Sequence, residues 1–264
     1  MAQKQGSQRG SKKNANVVAE TQGSKKGFYV LIAVVAIGGI AGLSYAATHN
    51  SAPPPIVLDQ SAPSVNSSGY VLGNPDAKVE LTEFGDFECP ACEKFSELTE
   101  ADFRAKYVNT GKVRFRFIDF PLINVHRNTL NASVAAACAD EQGKFWEMHD
   151  MLYVRQPDWN GEATNNPDKA IKAFAPSIPG LDVKKFNECL DSRKTLPKVQ
   201  AHFKLAEARQ VGQTPTFAIG NVQFVFADSP SPLEQISVRL DSALKAAETP
   251  ATATKTPPKG TKKQ

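Results

Sequence analysis

Twenty consecutive uncharged residues, FYVLIAVVAIGGIAGLSYAA from Phe28 to Ala47, divide this chain into parts with different fates. Helical backbone rises about 1.5 Å per residue, so the run spans about 30 Å, the thickness of a bilayer's hydrocarbon core. A buried core helix does not account for a run this long so close to a terminus. Before it lie Lys4, Arg9, Lys12, Lys13, Lys25 and Lys26 against the single acid Glu20. Residues 1–26 hold too little apolar surface to offset chain entropy, and they read as a disordered basic tail. The positive flank places the N-terminus in the cytoplasm and the rest of the chain outside. The expectation for residues 27–47 is therefore a single-pass anchor in the cell membrane. Cleavage after the small residues around Ser44-Tyr45-Ala46 is the alternative, and it would give a secreted form. Gly38 and Gly42 stand four apart in a helix rich in small residues, which is weak support for helix pairing.

Either reading exports the four cysteines, Cys89, Cys92, Cys138 and Cys189, to a compartment where disulfides persist. Residues 48–69 are rich in Pro and Ser and read as a spacer. Residues 248–264 are rich in Pro, Thr and Lys and read as a disordered tail. The net charge of +4 sits largely at the two ends, which gives no basic face for nucleic acid. Residues 70–247 remain as one domain. Within it Lys78–Phe84 alternates like a strand, Cys89–Tyr107 reads as a helix, and Val113–Phe120 reads as a second strand closed by Pro121. A helical stretch follows over about 124–208, with helices marked by Leu130/Val134/Cys138, by Phe145/Met148/Leu152, by an Asp182 cap, and by Val199/Phe203/Ala206. Strands at Thr216–Ile219 and Val222–Phe226 flank a Gly220-Asn221 turn, and a last helix fills Ser231–Ala247. The order predicts an α/β fold, a mixed sheet with a helical insertion in its middle.

The stretch FECPACEKF carries the chemistry. Cys89 sits where a loop turns into a helix, and Pro90 suits a first helical position because its missing N–H would be unpaired there. The helix start favours thiolate over thiol, which makes Cys89 the candidate nucleophile. Cys92, one turn on, is placed to resolve a mixed disulfide. A zinc site would need a second compact ligand pair, and His49 and His126 do not supply one. A purely structural bridge is also weak, because so small a ring removes little unfolded-state entropy. No metal and no cofactor is expected.

GNPDAKVELTEFGDFECPACEKF, GKFWEMHDMLY and VGQTPTFAIGN together resemble the DsbA-like branch of the thioredoxin superfamily, over nearly all of residues 70–247. The resemblance implies a thioredoxin-like fold with an inserted helical domain, in a thiol–disulfide oxidoreductase. It carries Cys89 and Cys92 onto the catalytic pair, with Pro90 and Ala91 between them at the substrate face. It carries Thr214-Pro215 onto the loop whose proline is cis and whose backbone pairs with substrate. It carries Glu83 onto a buried acid that relays a proton to Cys92. Some relatives hold a second disulfide in the insertion, which implies Cys138–Cys189; two buried free thiols are the alternative. His149 and Trp146 read as structural.

One letter departs from the pattern. The best-known oxidases of the branch have His where this chain has Ala91, so a less oxidising couple is expected. The implied partners are exported cysteine-containing polypeptides and, for re-oxidation, a quinone-linked membrane oxidoreductase of the DsbB or vitamin-K-epoxide-reductase kind. No dimerisation segment is legible, so a monomer is expected. The function expected is disulfide formation in exported proteins. A reductase or isomerase of the same fold remains open, as does a non-catalytic anchored chaperone or metal-binding module.

Overall fold

A computed structural model of the chain describes residues 25–49, 56–58, 68–226 and 231–249. The expected basic tail, most of the spacer and the expected C-terminal tail lie outside these residues. The chain divides into two units, residues 1–51 and 52–264. The first unit contributes helix α1 (Lys25–His49). Its residues Lys26–Tyr45 are long and apolar enough to cross a membrane, with a mean hydropathy of 2.1.

The second unit is built on a five-stranded sheet in the order β1-β3-β2-β4-β5. The strands are β1 (Tyr70–Leu72), β2 (Val79–Gly85), β3 (Val113–Asp119), β4 (Thr216–Ile219) and β5 (Val222–Phe224). Central β2 pairs in parallel with β3 and antiparallel with β4, so the sheet is mixed. A parallel pair needs a crossover. Here it is α2 (Pro90–Phe95), continued through residues 96–108 by π turns at Ser96–Glu100 and Arg104–Val108 on either side of α3 (Ala101–Phe103).

Alternation along the strands assigns their faces. Val79 and Leu81 of β2, Val113 and Phe115 of β3, and Phe217 of β4 pack against Phe95, Phe103 and Tyr107 of the crossover. Ile236 and Leu240 of α10 (Pro232–Glu248) join them. On the opposite face Phe84, Ile118 and Ala218 meet Ala206 of α9 (Leu196–Ala208) and Val211. Both faces are covered, so the strands read as nearly continuous apolar runs. Glu83 falls on the crossover face, opposite Phe117 on one side and Phe217 on the other.

The insertion between β3 and β4 is organised around α4 (Thr129–Asp140), every residue of which from Thr129 to Ala139 is buried. Its small side chains let α5 (Phe145–Val154), α7 (Pro167–Phe174), α8 (Val183–Ser192) and α9 approach it together. Short α6 (Gln156–Trp159) links α5 to α7. Asp182 caps α8 by accepting the Lys185 amide at 3.1 Å. A disulfide joins Cys138 of α4 to Cys189 of α8, 51 residues apart.

Three features differ from the sequence reading. Strand β1 opens the expected domain at Tyr70, where no strand was expected, and its three residues are too few to show a period. Leu58, inside the expected spacer, is buried in the domain core with Ile56 packed beside it. The last strand ends at Phe224 rather than Phe226.

The Cys138–Cys189 bridge closes a loop whose chain-entropy contribution is of order 4 kcal/mol as an upper bound. Replacing both cysteines by Ser should lower unfolding stability by about 2–4 kcal/mol in urea denaturation. An unchanged midpoint would show that the bridge does not constrain the unfolded chain.

Candidate active site

The site forms where β2 ends and the crossover helix begins. Gly85 closes β2, and a side chain there would press into the Phe117 ring. Glycine therefore lets Phe117 lie across the strand end next to Glu83. The chain then runs through Asp86–Cys89 as a buried loop. Its backbone must be satisfied internally. Cys89 N donates to Asp86 O at 3.1 Å, and Gln156 Nε2 donates to Phe87 O at 2.8 Å.

Two buried carboxylates pin this loop to the insertion. Asp86 accepts from Glu88 N and from Leu122 N, each at 2.8 Å, and from the Thr129 hydroxyl. The His126 Nδ1 lies 2.7 Å from its Oδ2. Glu88 accepts from Asn128 N at 2.6 Å and from Gly161 N. Sequence reasoning passed over Asp86 and Glu88, and weighed His126 only as a metal ligand. The available signal was acids at Glu83, Asp86 and Glu88, spaced through a run otherwise apolar enough to be buried.

Cys89 occupies the N-cap of α2 with extended backbone, φ −74° and ψ 122°, and Pro90 takes the first helical position. Pro90 and Ala91 are exposed, whereas Cys89 is 7% exposed and Cys92 fully buried. The Cys89 thiol donates to Thr214 O at 3.4 Å. The Thr214–Pro215 bond is cis, and both residues are buried against the cysteine pair's side of the sheet at the start of β4. Thus the structure brings together Cys89, Cys92, Glu83, Thr214 and Pro215, with Pro90 and Ala91 on the rim. Cys138 and Cys189 lie apart from them in the insertion.

The electrostatics separate the two thiols. A hydrogen bond from the Cys92 thiol draws the Cys89 pKa from 9.0 down to about 6, against the opposing effect of burial. The Thr214 side chain and the amides of Ala91 and Cys92 add to the lowering. Burial pushes the Cys92 thiol well above its ordinary value, and its bond to Cys89 and the charges of Cys89 and Glu83 push it further. Glu83 is 1% exposed and neither carboxyl oxygen has a hydrogen-bond partner among the described residues. Burial, then the nearby Glu100, hold its pKa well above the carboxylate range, with Arg104 opposing. His126 is raised by its bond to Asp86, and the charge on Cys89 also raises it. Protonated His126 therefore favours the Cys89 thiolate in return. A surface cavity of about 540 Å³ opens beside the pair, lined by Glu88, Pro90, Val125, His126 and Arg127 among others.

A thiol of lowered pKa at a helix start, a buried partner thiol, a buried acid and a cis-proline loop leading into β4 define a DsbA-like thiol–disulfide oxidoreductase. A family model described as "Thioredoxin" matches residues 66–242, and the chain belongs to that family. The probable disulfide bond formation protein D of Bacillus anthracis is 30% identical over 157 residues, 59% of this chain and 72% of that protein. The Na(+)/H(+) antiporter NhaA 3 of Salinispora tropica is 30% identical over 191 residues, which are 72% of this chain but 27% of the antiporter. Among solved structures, oxidised BdbD of Bacillus subtilis matches with a TM-score of 0.58 and 22% identity, covering 69% of this chain and 98% of that one. DsbA of Chlamydia trachomatis matches with a TM-score of 0.58 and 19% identity, covering 75% and 100%.

The lowered Cys89 pKa sets a pH dependence. In the unfolded chain the thiol ionises near 9.0 and in the reduced fold near 6. The reduced fold therefore gains stability as pH rises from about 6 towards about 9, and loses that contribution as pH falls through about 6. Thiolate absorbance of the reduced protein should titrate with a midpoint near pH 6, vanish in Cys89→Ser, and move upward in His126→Ala. A midpoint at an ordinary thiol value would contradict the assigned hydrogen bonds.

Proposed function

We propose that this protein forms disulfides in exported polypeptides, with Cys89 and Cys92 as the exchanging pair and α1 as a membrane anchor that holds the domain outside the cytoplasm. The observation that carries this reading is the unequal pair, one thiol poised as thiolate near pH 6 beside the exposed Pro90 and Ala91, and one fully buried and held protonated.

In the oxidising direction the pair starts as a disulfide. A substrate thiolate attacks Cys89 Sγ, the new sulfur–sulfur bond forms there, and Cys92 leaves as thiolate. Glu83, kept protonated by burial, supplies the proton that Cys92 takes up. A second substrate thiolate then attacks the substrate sulfur of the mixed disulfide. Cys89 leaves as a thiolate stabilised by its surroundings. The substrate has lost two electrons and two protons, and the protein holds both electrons. One proton is on Cys92, and the other passes to water when pH exceeds about 6. A good leaving group at Cys89 speeds the second step, which favours donation of disulfides.

The Thr214–Pro215 loop supports the same reading. Proline lacks an N–H, so the loop before β4 keeps backbone groups around Thr214 for an extended substrate chain. Pro90 and Ala91 form the exposed rim that such a chain would cross. The reduced pair then needs an electron acceptor. The proposed one is a quinone-linked membrane oxidoreductase of the DsbB or vitamin-K-epoxide-reductase kind, reached from a domain tethered to the same membrane.

Oxidation of a reduced, unfolded test protein and reduction of insulin should both be measured with wild type, Cys89→Ser and Cys92→Ser. Wild type should surpass Cys89→Ser by at least about tenfold in oxidation, and Cys92→Ser should accumulate the mixed disulfide that Cys92 otherwise resolves. Faster insulin reduction than oxidation would turn the reading to a reductase. Equal rates for wild type and Cys89→Ser in both assays would remove it.

A further inference from the structure

Beneath Cys92 the crossover helix and α5 enclose a second set of ionisable groups with no part in holding the fold's caps or strands. Glu100 and His149 are both buried. Arg104 Nε donates to Glu100 Oε1 at 2.8 Å, and its terminal nitrogens donate to both oxygens of Asp150 at 2.8 and 2.9 Å. His149 Nδ1 lies 2.8 Å from Asp150 Oδ1. That bond to a carboxylate makes Nδ1 the N–H donor and leaves Nε2 as an acceptor. Nε2 faces Glu100 Oε2 at 4.0 Å, and neither atom has a hydrogen-bond partner among the described residues. The two Glu83 oxygens are in the same condition. Four buried polar atoms without partners in one region are unusual, since such atoms are almost always paired.

The surroundings exclude two ordinary explanations. Phe87, Phe117, Phe145, Trp146 and Tyr153 ring His149, so a packing role alone would be served by an apolar side chain. Glu100, His149 and Asp150 present donor atoms within 4.8 Å of one another, a spacing that could suit a cation. Arg104 already engages both carboxylates, and its guanidinium takes the place such a cation would need.

The cluster has one wet end and one dry end. Asp150 is half exposed and lines a surface cavity of about 380 Å³ with Glu100 and Arg104. At the dry end, Glu100 acts electrostatically on Glu83, and Tyr153 feels the charges of Cys92, Glu83, Asp86 and Glu100 together. Cys92 and Glu83 are themselves shut off from water.

We propose that Glu100 and His149 form a proton relay that connects the buried Glu83 and Cys92 to solvent at Asp150. The proposal rests on the exchange reaction assigned to Cys89 and Cys92. When Cys92 leaves as thiolate it takes a proton from Glu83, and Glu83 must be reprotonated before the next turnover. While the pair is a disulfide the ring carries its proton on Nε2; a proton entering from water at Asp150 binds His149 Nδ1 and the Nε2 proton passes to Glu100 Oε2, which leaves the Nδ1–H form found with both thiols free. Glu100 then reloads Glu83, and His149 returns to its neutral form. When Cys92 attacks as nucleophile, the same proton travels outward. The 4.0 Å gap is longer than a hydrogen bond, so the transfer requires the two side chains to move together. Arg104 keeps Glu100 and Asp150 in position at opposite ends, acting as a positioning residue.

The test uses the full chain and two variants, His149→Gln and Glu100→Gln. The second keeps the carboxamide oxygen that accepts from Arg104, so it guards against loss of fold in the first. Two rates are read in each, alkylation of Cys89 by iodoacetamide and resolution of a preformed Cys89–glutathione mixed disulfide by Cys92. They are followed from about pH 5 to about pH 9, the range between carboxylate and thiol ionisation, in water and in deuterium oxide. The relay predicts unchanged Cys89 alkylation, with resolution by Cys92 slowed by about 100-fold and a changed pH profile and isotope effect. Folded variants with wild-type resolution, profile and isotope effect would overturn the relay alone. A wild type that fails to resolve the mixed disulfide at all would instead strike the exchange reaction on which it rests.

Discussion

A fully buried thiol set one helical turn behind a less buried one sets the character of this site. Cys92 can donate to Cys89 only because the first turn of α2 places the two side chains together, and α2 starts there because Pro90 fits the first helical position. The donated bond lowers the Cys89 pKa, and the same bond, added to burial, raises that of Cys92. Asymmetry follows from geometry. One sulfur is a ready nucleophile and leaving group, and the other waits for a base. The Thr214–Pro215 loop and the Asp86–Cys89 loop then flank this arrangement, the first through the bond from Cys89 to Thr214 O.

The scaffold's larger features support that arrangement. Strand β2 is central and covered on both faces, which fixes its end, Gly85, and the loop after it. The insertion contributes more than bulk. Its residues Asn128, Thr129, Tyr153, Gln156 and Gly161 all bond to the loop between Asp86 and Glu88, so helices distant in sequence set the cysteine's approach. The Cys138–Cys189 bridge ties α4 to α8 on the insertion's far side and lets that frame be stable without touching the exchanging pair.

How much of this was legible from the residues depended on range. Local signals read well: the alternation of β2, the Asp182 cap, and the Pro90 helix start all depend on neighbours within a turn or two. The burial of Glu83 was also legible, because Val79 and Leu81 share its face. What could not be read depended on distant pairing. Asp86 and His126 are 40 residues apart, and nothing near either announces their contact. The loss of His at position 91 looked like the loss of a cation for Cys89, whereas His126 brings an imidazole near it from the loop after β3. His149 read as structural or surface because it lies on a helix of the insertion; its unpartnered Nε2 appears only once α5 is packed against the crossover helix.

In the proposed function, the local environment of Cys89 stabilises the reduced pair and so makes the disulfide an oxidant. Across this superfamily lower nucleophile pKa values accompany more oxidising couples, from ~7 and ~−270 mV in thioredoxin to ~3.5 and ~−120 mV in DsbA. A Cys89 pKa of about 6 lies between them. The most direct measurement is the equilibrium of the Cys89–Cys92 pair against defined ratios of reduced and oxidised glutathione. The account predicts a potential between roughly −120 and −270 mV, nearer the thioredoxin end. A potential at or below about −270 mV, or a pair that does not equilibrate with glutathione, would contradict it.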